Sequence, residues 1–266
     1  VSVVDVNGAR LWYDEAGNGR PVLLLHGGLG DSGLWEPVVP FLAERFRTIR
    51  TDLRFYGRST GPAVPWSWQE DAIGVLDELG LERAGLVGLS LGGRLAFDIA
   101  LAHPDRLWAV AAVAPGLAGH ASNAYSDEQD ARYEAAEAEG DLEAAMEIDF
   151  EVWAPLGADD RIRRLWHATP EANGVPPGLE PLEAPGAPAK ERLGELAVPT
   201  LVVTVSHDPP GMREIGPIVA RDASAAHHVE LDSDHYVTLR EPELLSGVLV
   251  DFLAAAAPQD ESAAAE

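Results

Sequence analysis

The chain has 266 residues, 46% of them hydrophobic, with 44 acidic against 19 basic side chains, a formal net charge of -25, and no cysteine. That length accommodates one large domain, or one domain with an insertion, around a sizeable core. The acidic balance excludes nucleic acid as a partner, because phosphate binding needs a basic face, and the missing cysteine excludes disulfides, thiolate metal sites and a cysteine nucleophile together. The acidic side chains read as a solvated surface without a catalytic role. No apolar run reaches the roughly 18 residues of a membrane span, and Val1-Ser2-Val3-Val4-Asp5-Val6 lacks a basic signal-peptide start. The expected setting is cytoplasmic, with no membrane partner; oligomeric state leaves no mark in the sequence.

In chain order, Val3 to Val6 and Leu11 to Asp14 are strand candidates joined through Asn7-Gly8, the preferred pair for a tight hairpin. Val22-Leu23-Leu24-Leu25 is a continuous apolar run suited to a strand buried on both faces. A helix pattern over Trp35 to Phe46 precedes the strand Arg47 to Thr51, and another over Trp66 to Leu79 precedes the short strand Arg83 to Val87. Gly93 to Ala102 repeats its apolar residues at helical spacing until His103-Pro104 stops it, and Leu107 to Val113 follows as a strand. Strands alternating with helices predict a parallel sheet with helices on both faces.

From about Leu117 to Glu191 the alternation gives way to an acidic, alanine-rich helical stretch around Asp130 to Phe150 and a proline and glycine cluster from Gly174 to Pro188. This reads as an inserted cap over 118–191, between core segments 1–117 and 192–254. The sheet pattern resumes at Thr200 to Val205 and His228 to Leu231, a last helix lies near Pro242 to Leu253, and 255–266 reads as a disordered tail.

Gly88-Leu89-Ser90-Leu91-Gly92, between the strand ending near Val87 and the helix that follows, has the pattern of a nucleophile elbow. There a strained strand-to-helix turn presents a serine hydroxyl, and glycines flank it because side chains would collide with backbone. A serine hydroxyl needs a base, and the base works best when a carboxylate fixes its tautomer. His235, on the loop before the last helix, and Asp208, after the strand ending near Val205, both fall at carboxyl ends of strands, the edge where Ser90 also lies. Asp208 before Pro209-Pro210 also suits a helix cap, while Asp232 and Asp234 compete for the acid role or hydrogen-bond loop backbone. Ala114-Pro115-Gly116, at the other place from which an acid reaches such a histidine, has no carboxylate.

Among the other histidines, His103 reads as a helix end, and His227-His228 enter a strand without metal-ligand spacing, so neither a metal nor another cofactor is expected. His120 and His167 fall in the cap, as pocket or surface residues. An acyl-transfer intermediate needs backbone N–H donors for its oxyanion. Leu91 at a helix start supplies one; His26-Gly27-Gly28-Leu29-Gly30 supplies the second, at Gly28 or its neighbour Leu29, with His26 organising that loop.

His26-Gly27-Gly28, Asp52-Leu53-Arg54-Phe55-Tyr56-Gly57-Arg58-Ser59, Gly88 to Gly93, Asp208 and Asp234-His235 together resemble the α/β-hydrolase superfamily over about 1–117 and 192–254. The N-terminal half is similar to the 3-oxoadipate enol-lactonase and carboxylesterase-like members with small helical caps. The resemblance implies a mostly parallel sheet of about eight strands with helices on both faces, nucleophile Ser90, base His235, acid Asp208 and oxyanion donors at Gly28 and Leu91. Two positions depart from the family pattern: Phe55 stands where a glycine is usual, and Ser206 where glycine is frequent. The serine separates this chain from haloalkane dehalogenases and epoxide hydrolases, which share the fold but use an aspartate there.

The expected reaction is hydrolysis of a carboxylic ester or lactone of a small to medium, partly apolar substrate through an acyl-enzyme. Leu29, Trp153, Leu165, Trp166 and Tyr236 are candidate pocket walls. Cleavage of a carbon–carbon bond, as in meta-cleavage hydrolases, and a ligand receptor of low turnover are the alternatives.

Overall fold

Asn7 (φ 50°) and Gly8 (φ 77°) put two consecutive residues in the left-handed region, the turn geometry whose twist matches flanking antiparallel strands. The expected hairpin therefore forms between β1 (Ser2–Val6) and β2 (Ala9–Ala16). The other strands are β3 (Arg20–Leu25), β4 (Phe46–Thr51), β5 (Ala84–Leu89), β6 (Leu107–Val113), β7 (Thr200–Val205) and β8 (Ala226–Leu231). They make one eight-stranded sheet of order β1-β2-β4-β3-β5-β6-β7-β8, antiparallel at the β1–β2 and β2–β4 pairs and parallel from β4 to β8. This is the α/β-hydrolase fold. The structure is a computed structural model and describes residues 2–167, 174–176, 178–179, 182–184 and 188–258.

The helices are α1 (Val39–Ala43), α2 (Trp68–Glu78), α3 (Leu91–Ala102), α4 (Asp127–Glu139), α5 (Leu142–Trp153), α6 (Asp160–His167), α7 (Pro210–Arg213), α8 (Ile215–Asp222), α9 (Val237–Arg240) and α10 (Pro242–Ala256). They divide over the two faces of the sheet. Val22 and Leu24 of β3 join one apolar cluster, with α10, and Leu23 and Leu25 the other, with α2 and α3, as the two-residue period of a strand requires. Helices α4 to α6 form the small cap.

One expected helix is corrected, and one helical stretch divides in two. The pattern over Trp35 to Phe46 yields a short 3-10 turn at Ser32–Trp35 and only α1, because Pro40 lies in the helix's first turn and Phe46 already belongs to β4. The stretch over Asp130 to Phe150 is two helices: Gly140 ends α4 in the left-handed conformation (φ 70°), and the Asp141 carboxylate accepts from Ala144 N–H to start α5. The last helix continues to Ala256, and residues 259–266 of the expected tail lie outside the described residues.

The register brings the strand ends level. Leu25 pairs with Gly88, Leu89 with Val113, and Val205 with Leu231. The loops leaving β3, β5, β7 and β8 thus emerge along one edge, carrying Gly28, Ser90, Asp208 and His235 respectively. Among the described residues no helix is long and apolar enough to cross a membrane.

Candidate active site

Ser90 has φ 52° and ψ −108°, a conformation that costs a non-glycine residue roughly 1–3 kcal/mol. Surrounding backbone imposes it. Ser90 N–H donates to Val113 O at 2.9 Å, while Ser90 O accepts from Arg94 N–H at 2.9 Å and Gly116 N–H at 3.2 Å. The flanking glycines are required by distance: a Cβ on Gly88 would lie 2.0 Å from Gly92 O, and one on Gly92 would lie 2.3 Å from Leu25 O. The strand, turn and helix are therefore packed too closely for any other residue at either position.

His235 Nδ1 faces both oxygens of Asp208, at 3.0 and 2.9 Å, and both side chains are buried. A carboxylate there fixes the tautomer with the proton on Nδ1 and leaves Nε2 as acceptor. Ser90 and His235 line the same cleft; no Ser90–His235 hydrogen bond joins them among the described residues. The two competing aspartates are engaged elsewhere. Asp234 accepts from Arg240 Nε at 2.6 Å, Tyr236 N–H at 3.2 Å and Leu156 N–H at 3.3 Å. Asp232 is exposed and takes Ser206 Oγ–H at 2.8 Å and the His207 ring at 3.1 Å. The serine that departs from the family pattern at 206 thus binds this outer carboxylate.

Gly28 and Leu91 both line the cleft beside Ser90. Leu91 N–H is at a helix start, where it has no intrahelical acceptor, and Gly28 N–H likewise has no partner among the described residues. Gly92 N–H donates to His26 O at 3.1 Å, tying the elbow to the loop after β3. Wholly buried, His26 donates from Nδ1 to Gly27 O at 2.8 Å and accepts Leu53 N–H at Nε2 at 2.9 Å. Burial holds its pKa below the usual imidazole value, so it is a neutral organiser of the loop.

The loop after β4 supports this arrangement from behind. Burial alone would raise the pKa of Asp52, but hydrogen bonds from Arg58 and Ser32 hold it below the usual carboxylate range. Arg54 makes a buried two-bond pair with Asp71, at 2.8 Å each. Phe55 has a left-handed backbone (φ 71°), a conformation that favours glycine, and its ring meets Trp66 edge-on at 5.4 Å.

The cleft has a volume of about 360 Å³. Gly28, Leu29, Ser90, Leu91 and His235 form its sheet side, and Trp153 and Tyr125 its cap side. The Trp153 ring packs 4.5 Å from the His235 ring, and Trp153 O accepts His235 N–H at 3.2 Å. Trp153 Nε1 donates to Tyr125 Oη at 2.8 Å, and Tyr125 in turn donates to Asp149 at 2.5 Å. Asp149 is buried, and that burial raises its pKa to about 6 despite the Tyr125 hydrogen bond. The Tyr125 hydroxyl is pushed above its usual value by burial and by Asp149.

Of the candidate walls, Leu29 and Trp153 line the cleft, and Tyr236 lines a narrow recess below it with Gly27 and Leu34. Leu165 does not: its side chain approaches Gly33, within the apolar cluster behind the loop. The side chain of Trp166 lies outside the described residues. Arg94, Tyr125 and Met212 also line the cleft and were not anticipated from sequence. Arg94 carries a readable signal, since it follows Ser90 by four residues and its N–H closes the first helical turn on Ser90 O; Tyr125 and Met212 carry none. Among the described residues no three His, Asp or Glu side chains group as a metal site.

A family described as the alpha/beta hydrolase fold matches residues 20–242. The 2-hydroxymuconate semialdehyde hydrolase of Pseudomonas sp. (strain CF600) is 37% identical over 107 residues, 38% of this chain and 38% of that protein. The matching stretch thus spans well under half the length of that relative. 3-Oxoadipate enol-lactonase 1 of Acinetobacter baylyi is 26% identical over 243 residues, 88% of each chain. The crystal structure of the enol-lactonase from Burkholderia xenovorans LB400 superposes with a TM-score of 0.65 at 25% identity, covering 95% of this chain and 100% of that one.

Proposed function

The chain belongs to the alpha/beta hydrolase fold family, whose members similar to it include lactone and semialdehyde hydrolases, and we propose that it is a serine hydrolase of a carboxylic ester or lactone. The observation that carries this reading is the His235–Asp208 pair facing the same cleft as a serine held on a strained elbow.

His235 Nε2 takes the proton of Ser90 Oγ as that oxygen attacks the substrate carbonyl carbon. Asp208 keeps the imidazole proton on Nδ1 and stabilises the imidazolium. The N–H groups of Gly28 and Leu91 receive the developing oxyanion. Collapse expels the alcohol, which leaves with the proton from His235, and an acyl ester remains on Ser90. Water, deprotonated by His235, then attacks that ester; the product acid departs and Ser90 regains its proton. Leu29, Trp153 and Tyr236 make the substrate space partly apolar.

The higher identity to the semialdehyde hydrolase, 37% against 26% for the lactonase, favours a second reading. In it the same groups cleave a carbon–carbon bond beside a carbonyl, and the leaving group is a carbon stabilised as its enol. On identity the relatives support this second reading more strongly than the first. The test is a panel of esters, lactones and vinylogous diketones of varied acyl length, assayed with wild type, Ser90→Ala and His235→Ala. Ester or lactone turnover lost in both variants supports the first reading; turnover confined to diketones supports the second. Full activity in Ser90→Ala would contradict both.

A further inference from the structure

Among the described residues that line the cleft, Arg94 is the one arginine, lysine, aspartate or glutamate. Its N–H closes the first turn of α3 on Ser90 O at 2.9 Å, and both side chains line the cleft, one helical turn of about 6 Å apart along the chain. The other side chains described along the wall offer an anion no charge: Leu29, Leu91, Trp153 and Met212 are uncharged, and the Tyr125 hydroxyl is occupied by Asp149 and Trp153.

A guanidinium presents five N–H donors. Arg94 spends one, from Nη2 to Glu183 Oε1 at 3.2 Å, and its Nε is buried with no partner. No other side-chain bond is made by Arg94 among the described residues. Glu183 is itself held from behind: Trp66 N–H donates to Leu182 O at 3.0 Å and Ala184 N–H donates to Trp66 O at 2.8 Å. The pair is about a third exposed on both sides, and a single bond of that kind contributes little to stability. It supplies Arg94 with a counter-charge when the cleft holds no anion, and leaves donors over.

We propose that Arg94 is a specificity-determining residue that binds a carboxylate on the substrate, so that the chain selects acyl compounds bearing a second, free acid over neutral ones. The proposal rests on Ser90 as the nucleophile. An acid held on Arg94 with the scissile carbonyl at Ser90 corresponds to the two groups joined by a short chain, as in half-esters of small dicarboxylic acids.

The test measures kcat/KM for the 4-nitrophenyl half-esters of succinate, glutarate and adipate against the same compounds with the free acid methylated. The readout is the acid-to-neutral ratio in wild type, Arg94→Met, Arg94→Lys and Glu183→Gln. Wild type favours the acids; Arg94→Met lowers the ratio by about 10- to 100-fold, mainly through KM, the range lost with one hydrogen bond to a charged group. Arg94→Lys recovers part of it, and Glu183→Gln raises it by removing the competing carboxylate. An unchanged ratio in Arg94→Met, or no wild-type preference for the acids, overturns the proposal. If wild type cleaves neither set, the Ser90 reading is what fails, and titration calorimetry with free glutarate and dimethyl glutarate then tests Arg94 alone. Glutarate binding that weakens about tenfold or more in Arg94→Met supports the site; equal binding by both proteins overturns it. Should Arg94→Met not fold, Arg94→Lys and Glu183→Gln, which must move the ratio in opposite directions, decide the matter.

Discussion

On the sheet side of the cleft Ser90 is held by backbone, whereas on the cap side the Trp153 ring is held by side chains. Ser90 is locked by three main-chain hydrogen bonds and by glycines that leave no space for a Cβ. Trp153 stands against His235 through a relay of two side-chain bonds that ends on a buried carboxylate, Asp149. Backbone packing of the first kind tolerates almost no substitution, since closely approached main chains cannot relax around an added atom. A side-chain relay can be weakened in steps, so substitutions at Trp153, Tyr125 or Asp149 can change the cap wall without disturbing the elbow backbone.

On the sheet side Asp208→Asn is expected to lower kcat by about 10⁴-fold, because the amide favours the wrong imidazole tautomer; initial-rate kinetics at fixed folded concentration read this. Gly92→Ala puts a methyl on Leu25 O and is expected to lower stability by more than about 3 kcal/mol, seen as loss of soluble protein or as a shifted urea midpoint. On the cap side Trp153→Ala removes one wall and the ring beside His235, and is expected to lower kcat/KM by about tenfold while the fold survives, measured on matched short and long acyl esters. A loss on the cap side as large as that of Asp208→Asn would erase the distinction.

Smaller effects follow from Asp149. Burial, with Glu137 adding to it, raises its pKa from 3.8 to about 6, so the folded chain holds a proton that the unfolded chain releases between those values. That contribution to stability is complete below about pH 4 and is lost as pH rises through about 6. Asp98, also raised to about 6 chiefly by burial, acts with the same sign. Asp149→Asn is expected to flatten part of this slope and to raise Tm by a few degrees above neutrality, and Asp98→Asn with Asp149→Asn to flatten more of it, both read from melting curves between pH 4 and 8. Smallest of all, Asp232→Asn is expected to change kcat by less than about twofold, since Asp232 binds only Ser206 and His207 on the outer side of the loop.

The same division governs what the sequence makes legible. Tight backbone leaves residue signatures: Asn7-Gly8 for the hairpin, and Gly88 and Gly92 around Ser90, where only glycine has space. The sheet followed from apolar runs and the turns between them. The cap resisted because its alanine-rich, acidic run hides a break that Gly140 and Asp141 make together, and because Tyr125 meets Asp149 and Trp153 only after α4 and α5 have folded back. Arg94 stands four residues after Ser90 in the sequence, while its bond to Glu183, 89 residues further on, is visible only in three dimensions. Phe55 is visible in the sequence as a departure, while its left-handed backbone is visible only in three dimensions.

The central claim is that Ser90 is the acylated residue. A fluorophosphonate probe followed by mass spectrometry tests it directly. One adduct on Ser90, suppressed by an excess of a hydrolysed ester and absent from Ser90→Ala, is the predicted result. Labelling at another residue, or Ser90→Ala that still labels and turns over substrate at the wild-type rate, would contradict the account.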